Sequence, residues 1–205
     1  MKQFELWLEF EQTSPWEDLT NDFANIHVFM PDGRKYVLNV WTFKYLESAN
    51  QTNVTEGRNG KGLYQISPDL FVKELTRECV EQTITELLEE GNLEDVLNDS
   101  IFDLEFKDPW WDAFEIKDHG QALEDQLHTE IGQGHPLFGR SFDFLAKRQD
   151  TDDVLIELED KTLAMVHLTW SESTLQGGLP QTKIFKNKKD FWQKQLRQDI
   201  LDYEN

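Results

Sequence analysis

Two hairpin signals, one in each half of the chain, constrain its fold most. In MPDGRKYVLNVW and LEDKTLAMVHLTW an acidic turn separates apolar runs, and each second run ends near a tryptophan. Pro31-Asp32-Gly33 joins runs at 22–30 and 34–41, and Asp160-Lys161 joins VLIELE to TLAMVHLTWS. The likeness of the two hairpins fits either an old duplication or chance recurrence, and no repeat is assumed. Ahead of the first hairpin, Phe4, Leu6, Leu8 and Phe10 alternate with Glu5, Trp7, Glu9 and Glu11, the period of a strand over 3–11 with one face buried. Further strands are predicted at IFDLEF (101–106), FDFLAKRQ and, as a short edge, Thr182 to Phe185.

Helical spacing fills the intervals. Thr42 can cap a short helix to about residue 50, before a polar stretch, NQTNVTEGRNGKG, that reads as loop. Ser67-Pro68-Asp69 combines a cap, a first-turn proline and an acid, predicting a helix from 68 to about 90 that ends at Gly91. Shorter helices are expected at Leu93 to Leu97, after Asp108-Pro109 and over 120–131. A last one runs from Lys188 to Tyr203, with an imperfect stripe of Phe191, Leu196, Ile200 and Tyr203. The expected fold is therefore α+β: antiparallel sheets built from hairpins and packed with helices. Two small domains are expected, 1–99 and 100–205, with one continuous sheet as the other arrangement.

Charge narrows the function. Forty acidic against 20 basic residues give a net charge of -20, spread over both halves, which repels nucleic-acid backbones and anionic membranes. Such a field serves solubility, or it steers a basic protein partner. The single cysteine, Cys79, cannot close an intramolecular disulfide, and MKQFELWLEF is neither a signal core nor a membrane span, so the cytoplasm is the expected location.

No phosphate loop, H-E-x-x-H, C-x-x-C or G-x-S-x-G occurs, so catalysis would have to come from isolated side chains. His135 and His167 could meet in a cleft beside Asp152 or Asp153, the minimum for general acid–base chemistry, or serve as turn and strand residues. Glu124 and His128 share a helix face and could hold a metal with His119 or His135, but four-residue spacing arises readily by chance, and neither metal nor cofactor is assigned. For binding, Trp16, Trp110, Trp111 and Trp170 are candidate anchors, though tryptophans also fill cores. Glu74, Glu78 and Glu81, with Glu89 and Glu90, line one acidic helix face that is either merely solvated or a landing strip for a cation-rich surface.

The run G-H-P-L-F-G, followed by D-D-V-L-I-E-L-E-D and V-H-L-T-W-S over residues 134–171, resembles a pattern of uncharacterised bacterial proteins and implies no activity. The first half, with LNVWTFKYLE and ISPDLFVKELTRECVEQTI, is similar to small immunity proteins of bacterial toxin systems. That resemblance implies a cytoplasmic protein that binds and blocks a cognate toxin, with no catalytic residues to carry over. The expected activity is thus binding of a basic protein, the alternative being a hydrolase that uses His135 and His167 with Asp153.

Overall fold

The computed structural model describes residues 3–12, 18–58, 67–113 and 117–203. The chain divides into two compact units, Met1–Asp103 and Leu104–Asn205. Each contains a five-stranded sheet packed with helices, the α+β class that the hairpin pattern predicts. Among the described residues, no helix is long and apolar enough to cross a membrane.

In the first unit, β1 (Glu5–Leu8) pairs antiparallel with β2 (Phe23–Phe29), which pairs antiparallel with β3 (Arg34–Thr42). The turn between β2 and β3 closes as predicted, with Gly33 at a positive φ of 83° that an L side chain would resist. The alternation that predicts a strand to residue 11 stops at Leu8, where one helical turn, α1 (Glu9–Gln12), begins. The reason is local. Leu8 faces Ile26, and at the next position the Glu9 carboxylate itself accepts the Asn25 N–H at 2.7 Å, in place of a ladder bond.

Thr42 caps α2 (Phe43–Thr55) through a bond from Tyr45 N–H. This helix runs five residues past the expected stop, into the polar stretch assigned to loop. In its last turns the Thr52 and Thr55 hydroxyls donate to the carbonyls of Ser48 and Gln51, four residues back. Residues 59–62 of that stretch lie outside the described residues.

The capping signature at 67–69 is overridden. Residues Leu70–Val72 form β4, parallel to the end of β3, because Asp69 exchanges two bonds with Asn39: its N–H to the Asn39 carbonyl (2.9 Å) and its carboxylate to the Asn39 N–H (2.7 Å). The true helix, α3 (Arg77–Glu90), starts at Thr76, whose hydroxyl accepts the Cys79 N–H, and ends at Gly91 as expected. After α4 (Leu93–Val96), β5 (Phe102–Leu104) also pairs with β3.

Val80, Ile84 and Leu93 pack on Ala24, Ile26, Val28, Tyr36, Leu38 and Val40, all fully buried, so α3 and α4 cover one face of the sheet. The other face carries Trp7, Phe23, His27, Phe29, Val37, Trp41 and Phe71, half-buried or exposed.

In the second unit the sheet order is β10-β9-β8-β7-β6, all neighbours antiparallel: β6 (Trp110–Asp112), β7 (Phe142–Arg148), β8 (Asp153–Leu158), β9 (Leu163–His167) and β10 (Thr182–Phe185). Asp108-Pro109 does not start a helix. Gln149 binds it through the Pro109 carbonyl and the Asp108 carboxylate, drawing Trp110 into the edge strand.

Helix α5 (Lys117–Glu130) lays Leu123 and Leu127 on Val154, Ile156, Ala164 and Val166. Residues of the opposite strand phase, Leu155, Leu163 and Phe185, face the C-terminal helix, where Phe191 meets Phe185 and Trp110 edge-on. That helix runs from Lys188 to Tyr203 with a π turn at Trp192–Leu196. The five-residue gap between Phe191 and Leu196, which makes the stripe imperfect, is the mark of that turn.

Candidate functional site

Three arrangements concern function, two in the second unit and one in the first.

The first involves the histidines. His135 follows α5 and is almost fully buried. Its Nδ1 accepts the Leu137 N–H at 3.2 Å, so in the neutral ring the proton sits on Nε2, which donates to the Pro180 carbonyl at 3.0 Å. The Thr182 hydroxyl lies 3.1 Å from the same nitrogen. His135 thus pins its turn to the start of β10. Thr182 stands opposite Val166, whose side chain points toward α5, and His167, the next residue, points to the other face. The structure does not bring the two imidazoles into one cleft.

His167 does meet Asp153, its cross-strand neighbour. Its Nδ1 is 2.9 Å from Asp153 Oδ1, and the second carboxylate oxygen accepts the Thr151 hydroxyl at 2.7 Å. The pair opens on a shallow concavity of about 350 Å³ that Met165, Gln181, Thr182 and Lys183 also line, whereas His135 does not line it. An aspartate orienting a half-exposed imidazole can relay a proton, while the ammonium of Lys183, which lines the same concavity, donates to Gln195.

Among the described residues no three histidine, cysteine or carboxylate side chains converge as a metal shell. His128 stacks on Phe142, with ring centroids 5.0 Å apart.

The second arrangement surrounds Trp170. β9 stops at His167, short of the predicted Ser171, because the backbone beyond it turns to Glu130 at the end of α5. The fully buried Glu130 carboxylate accepts the N–H groups of Thr169 and Ser171, on either side of Trp170, together with the Thr169 hydroxyl and the Gln126 amide. Burial opposes its ionisation, and these hydrogen bonds overcome that opposition, holding its pKa below the usual carboxylate range.

Clamped on both sides, Trp170 sits at a φ of 57°, a left-handed conformation unusual for a bulky residue, with half of its surface exposed. Leu175 closes the loop, its N–H bound to the Glu130 carbonyl, and a Cβ on Gly132 would come within 2.5 Å of the Leu175 carbonyl oxygen.

The other proposed anchors divide. Trp111 is 40% exposed on edge strand β6, whereas Trp110 is a core residue whose indole N–H donates to Asp199. Trp110, with 1% of its surface exposed, cannot serve as the contact residue expected from the sequence. Trp16 lies outside the described residues. Glu78 is exposed on α3, and Glu81 is tied to Arg77, which also holds Glu11; Glu74 is half-buried and precedes the helix, which starts only after Thr76, so it is not part of the predicted acidic helix face. Arg77 thus offsets Glu81 on the helix, and its hydrogen bond lowers the pKa of Glu11 on α1.

The third arrangement, which the sequence reading does not single out, is the aromatic face of the first sheet, where Phe43 and Tyr45 of α2 pack on the row of Phe23, Trp41 and Phe71 and the rest is half-buried or exposed. Part of its signal is in the sequence: the outward phase of β2 and β3 carries Phe23, Phe29, Val37 and Trp41 among the polar Asn25, His27, Lys35 and Asn39, where a solvated phase is ordinarily polar throughout.

Compared with known proteins, the chain matches no family model, no curated protein and no solved structure.

Proposed function

We propose that this chain is a non-catalytic binding module of the immunity type, acting in the cytoplasm, whose acidic surface covers a basic protein partner such as a toxin. The observation that carries the reading is Trp170, a half-exposed indole held in a left-handed turn by a buried carboxylate. Strain of this kind persists only where surrounding bonds enforce it, and a pre-ordered aromatic loses little freedom on binding. The net charge of -20 adds electrostatic steering toward a cationic surface and disfavours nucleic acid. The resemblance of the first half to immunity proteins supplies the class of partner.

The test is capture of partners by the tagged chain from its native lysate at 50 and 500 mM salt, in parallel with Trp170→Ala. A stoichiometric basic protein, released by salt and at least tenfold depleted by the variant, is the expected result. Equal capture by Trp170→Ala would reject the role of the anchor.

The Asp153–His167 pair favours a second reading, acid–base hydrolysis at the concavity of the second unit. It predicts that a panel of activated esters is turned over and that His167→Gln abolishes the turnover, while the binding reading predicts no turnover by either protein.

A further inference from the structure

The sheet of the first unit presents, on the side away from α3, four rows of side chains fixed by strand register. Glu5, Phe29 and Lys35 form one row, Trp7, His27 and Val37 the next, then Asn25 and Asn39, and last Phe23, Trp41 and Phe71. The rings are mutually ordered. Trp7 lies 4.7 Å from His27, Phe23 lies 5.1 Å from Tyr45, Tyr45 meets Trp41 edge-on at 5.1 Å, and Phe43 stacks on Phe71 at 5.4 Å. Between the two aromatic zones, Asn39 donates to Asn25 and accepts the Trp41 indole N–H. Phe23 is 39% exposed, Val37 37% and Phe43 63%, an apolar surface of the kind that marks contact with another molecule.

Its charge selects the occupant. Glu5 lies in the first row, Glu9 binds Asn25 at the margin of β2, Asp22 precedes β2, and Asp103 of β5 acts on His27. Lys35 is the cation within these rows, and its ammonium sits over the Phe29 ring at 5.6 Å, which shows the binding mode that the face offers. A second copy of so acidic a chain is repelled, as is a polyphosphate.

We propose that this face is a docking surface for an arginine-bearing segment of a basic protein, whose guanidinium groups stack on the rings while the bordering carboxylates take their charge. Arginine suits it better than lysine because its flat, weakly hydrated cation stacks on aromatic faces. The proposal deepens the binding reading and rests on it, yet its test needs no native partner, so a failed lysate capture leaves it readable.

The experiment titrates the full chain with an eight-residue peptide alternating Arg and Thr, and with its Lys counterpart, following assigned amide and indole signals by NMR. Perturbations at Phe23, Val37, Asn39 and the Trp41 indole, with the Arg peptide about threefold tighter, are expected. Val37→Lys puts a cation in the centre of the face at an exposed position and should weaken the Arg peptide about tenfold, whereas Glu78→Lys on α3, a larger change of charge, should alter it less than about twofold.

Equal affinity for the two peptides, perturbations centred on α3, or equal effects of the two variants would overturn the proposal in favour of net charge alone. Sedimentation at 10 and 200 μM closes the remaining route: a dimer dispersed by Val37→Lys would make the occupant a second copy instead.

Discussion

The two sheets begin from the same hairpin chemistry and end differently clothed. In the second unit both faces of β8 are covered, by α5 on the side of Val154 and Ile156 and by the C-terminal helix on the side of Leu155. In the first unit α3 and α4 cover the side of Ile26 and Leu38, while Phe23, Val37 and Trp41 stay half-buried or exposed. An apolar run therefore does not report burial by itself. It reports surface that something must cover, and in the first unit a partner is the proposed cover.

The sharpest way to break this comparison is to shorten one side chain from each second face. Leu155→Ala, at a fully buried position, should cost the second unit about 3 kcal/mol, and Val37→Ala should change the first by less than about 0.5 kcal/mol, measured by urea unfolding. Similar losses would mean that the face of the first unit is as covered as that of the second.

Next in size is the clasp at Trp170. Glu130→Gln removes the charge and turns one of the two acceptor oxygens into a donor, so the Thr169 N–H and hydroxyl lose an acceptor, at a cost of about 2 kcal/mol. Its pH dependence has a definite sign. With the folded pKa below its ordinary value of about 4.3, the Glu130 contribution is complete above that pH and disappears as the pH falls through the lower folded value. The variant should lose this acid-limb dependence.

Smaller still is the helix start in the first unit. Thr76→Ala should cost about 1 kcal/mol, while Ser67→Ala should be neutral within about 0.5 kcal/mol, and the reverse order would restore the sequence-predicted start.

The smallest effect belongs to His27 on the open face. Burial, aided by Lys35, lowers its pKa, and Asp103 opposes the shift. A basic group with a lowered folded pKa destabilises the fold as pH falls through its unfolded value near 6.5, where the unfolded chain takes up the proton first. His27→Phe should flatten this decline between pH 7.5 and 5 by about 0.5 kcal/mol, after allowance for the screening of a half-exposed ring.

Elements whose evidence is local were legible. The Asp-Gly turn, the Thr42 cap and the Gly91 stop follow from bonds made within a few residues. Elements decided by a distant partner were not. Ser67-Pro68-Asp69 carries good capping chemistry, yet Asn39, thirty residues from Asp69, offers two backbone bonds and makes the segment a strand. The candidate sites divide in the same way: the Asp153–His167 neighbours could be guessed from facing strands, but the separation of His135 from His167 depends on which face of β9 the turn beneath Thr182 occupies.

By itself the sequence determined the α+β class, the hairpins, the acidic field and the lack of any short catalytic signature, because these reside in composition, period and turn chemistry. The tertiary structure decided which tryptophan is core and which is offered to solvent, since Trp110 and Trp111 are adjacent in a strand and differ only in the side to which they point. It also decided that Trp170 is held in a left-handed turn, because the carboxylate that holds it lies 40 residues away, and only folding brings Glu130 beside the backbone it clamps.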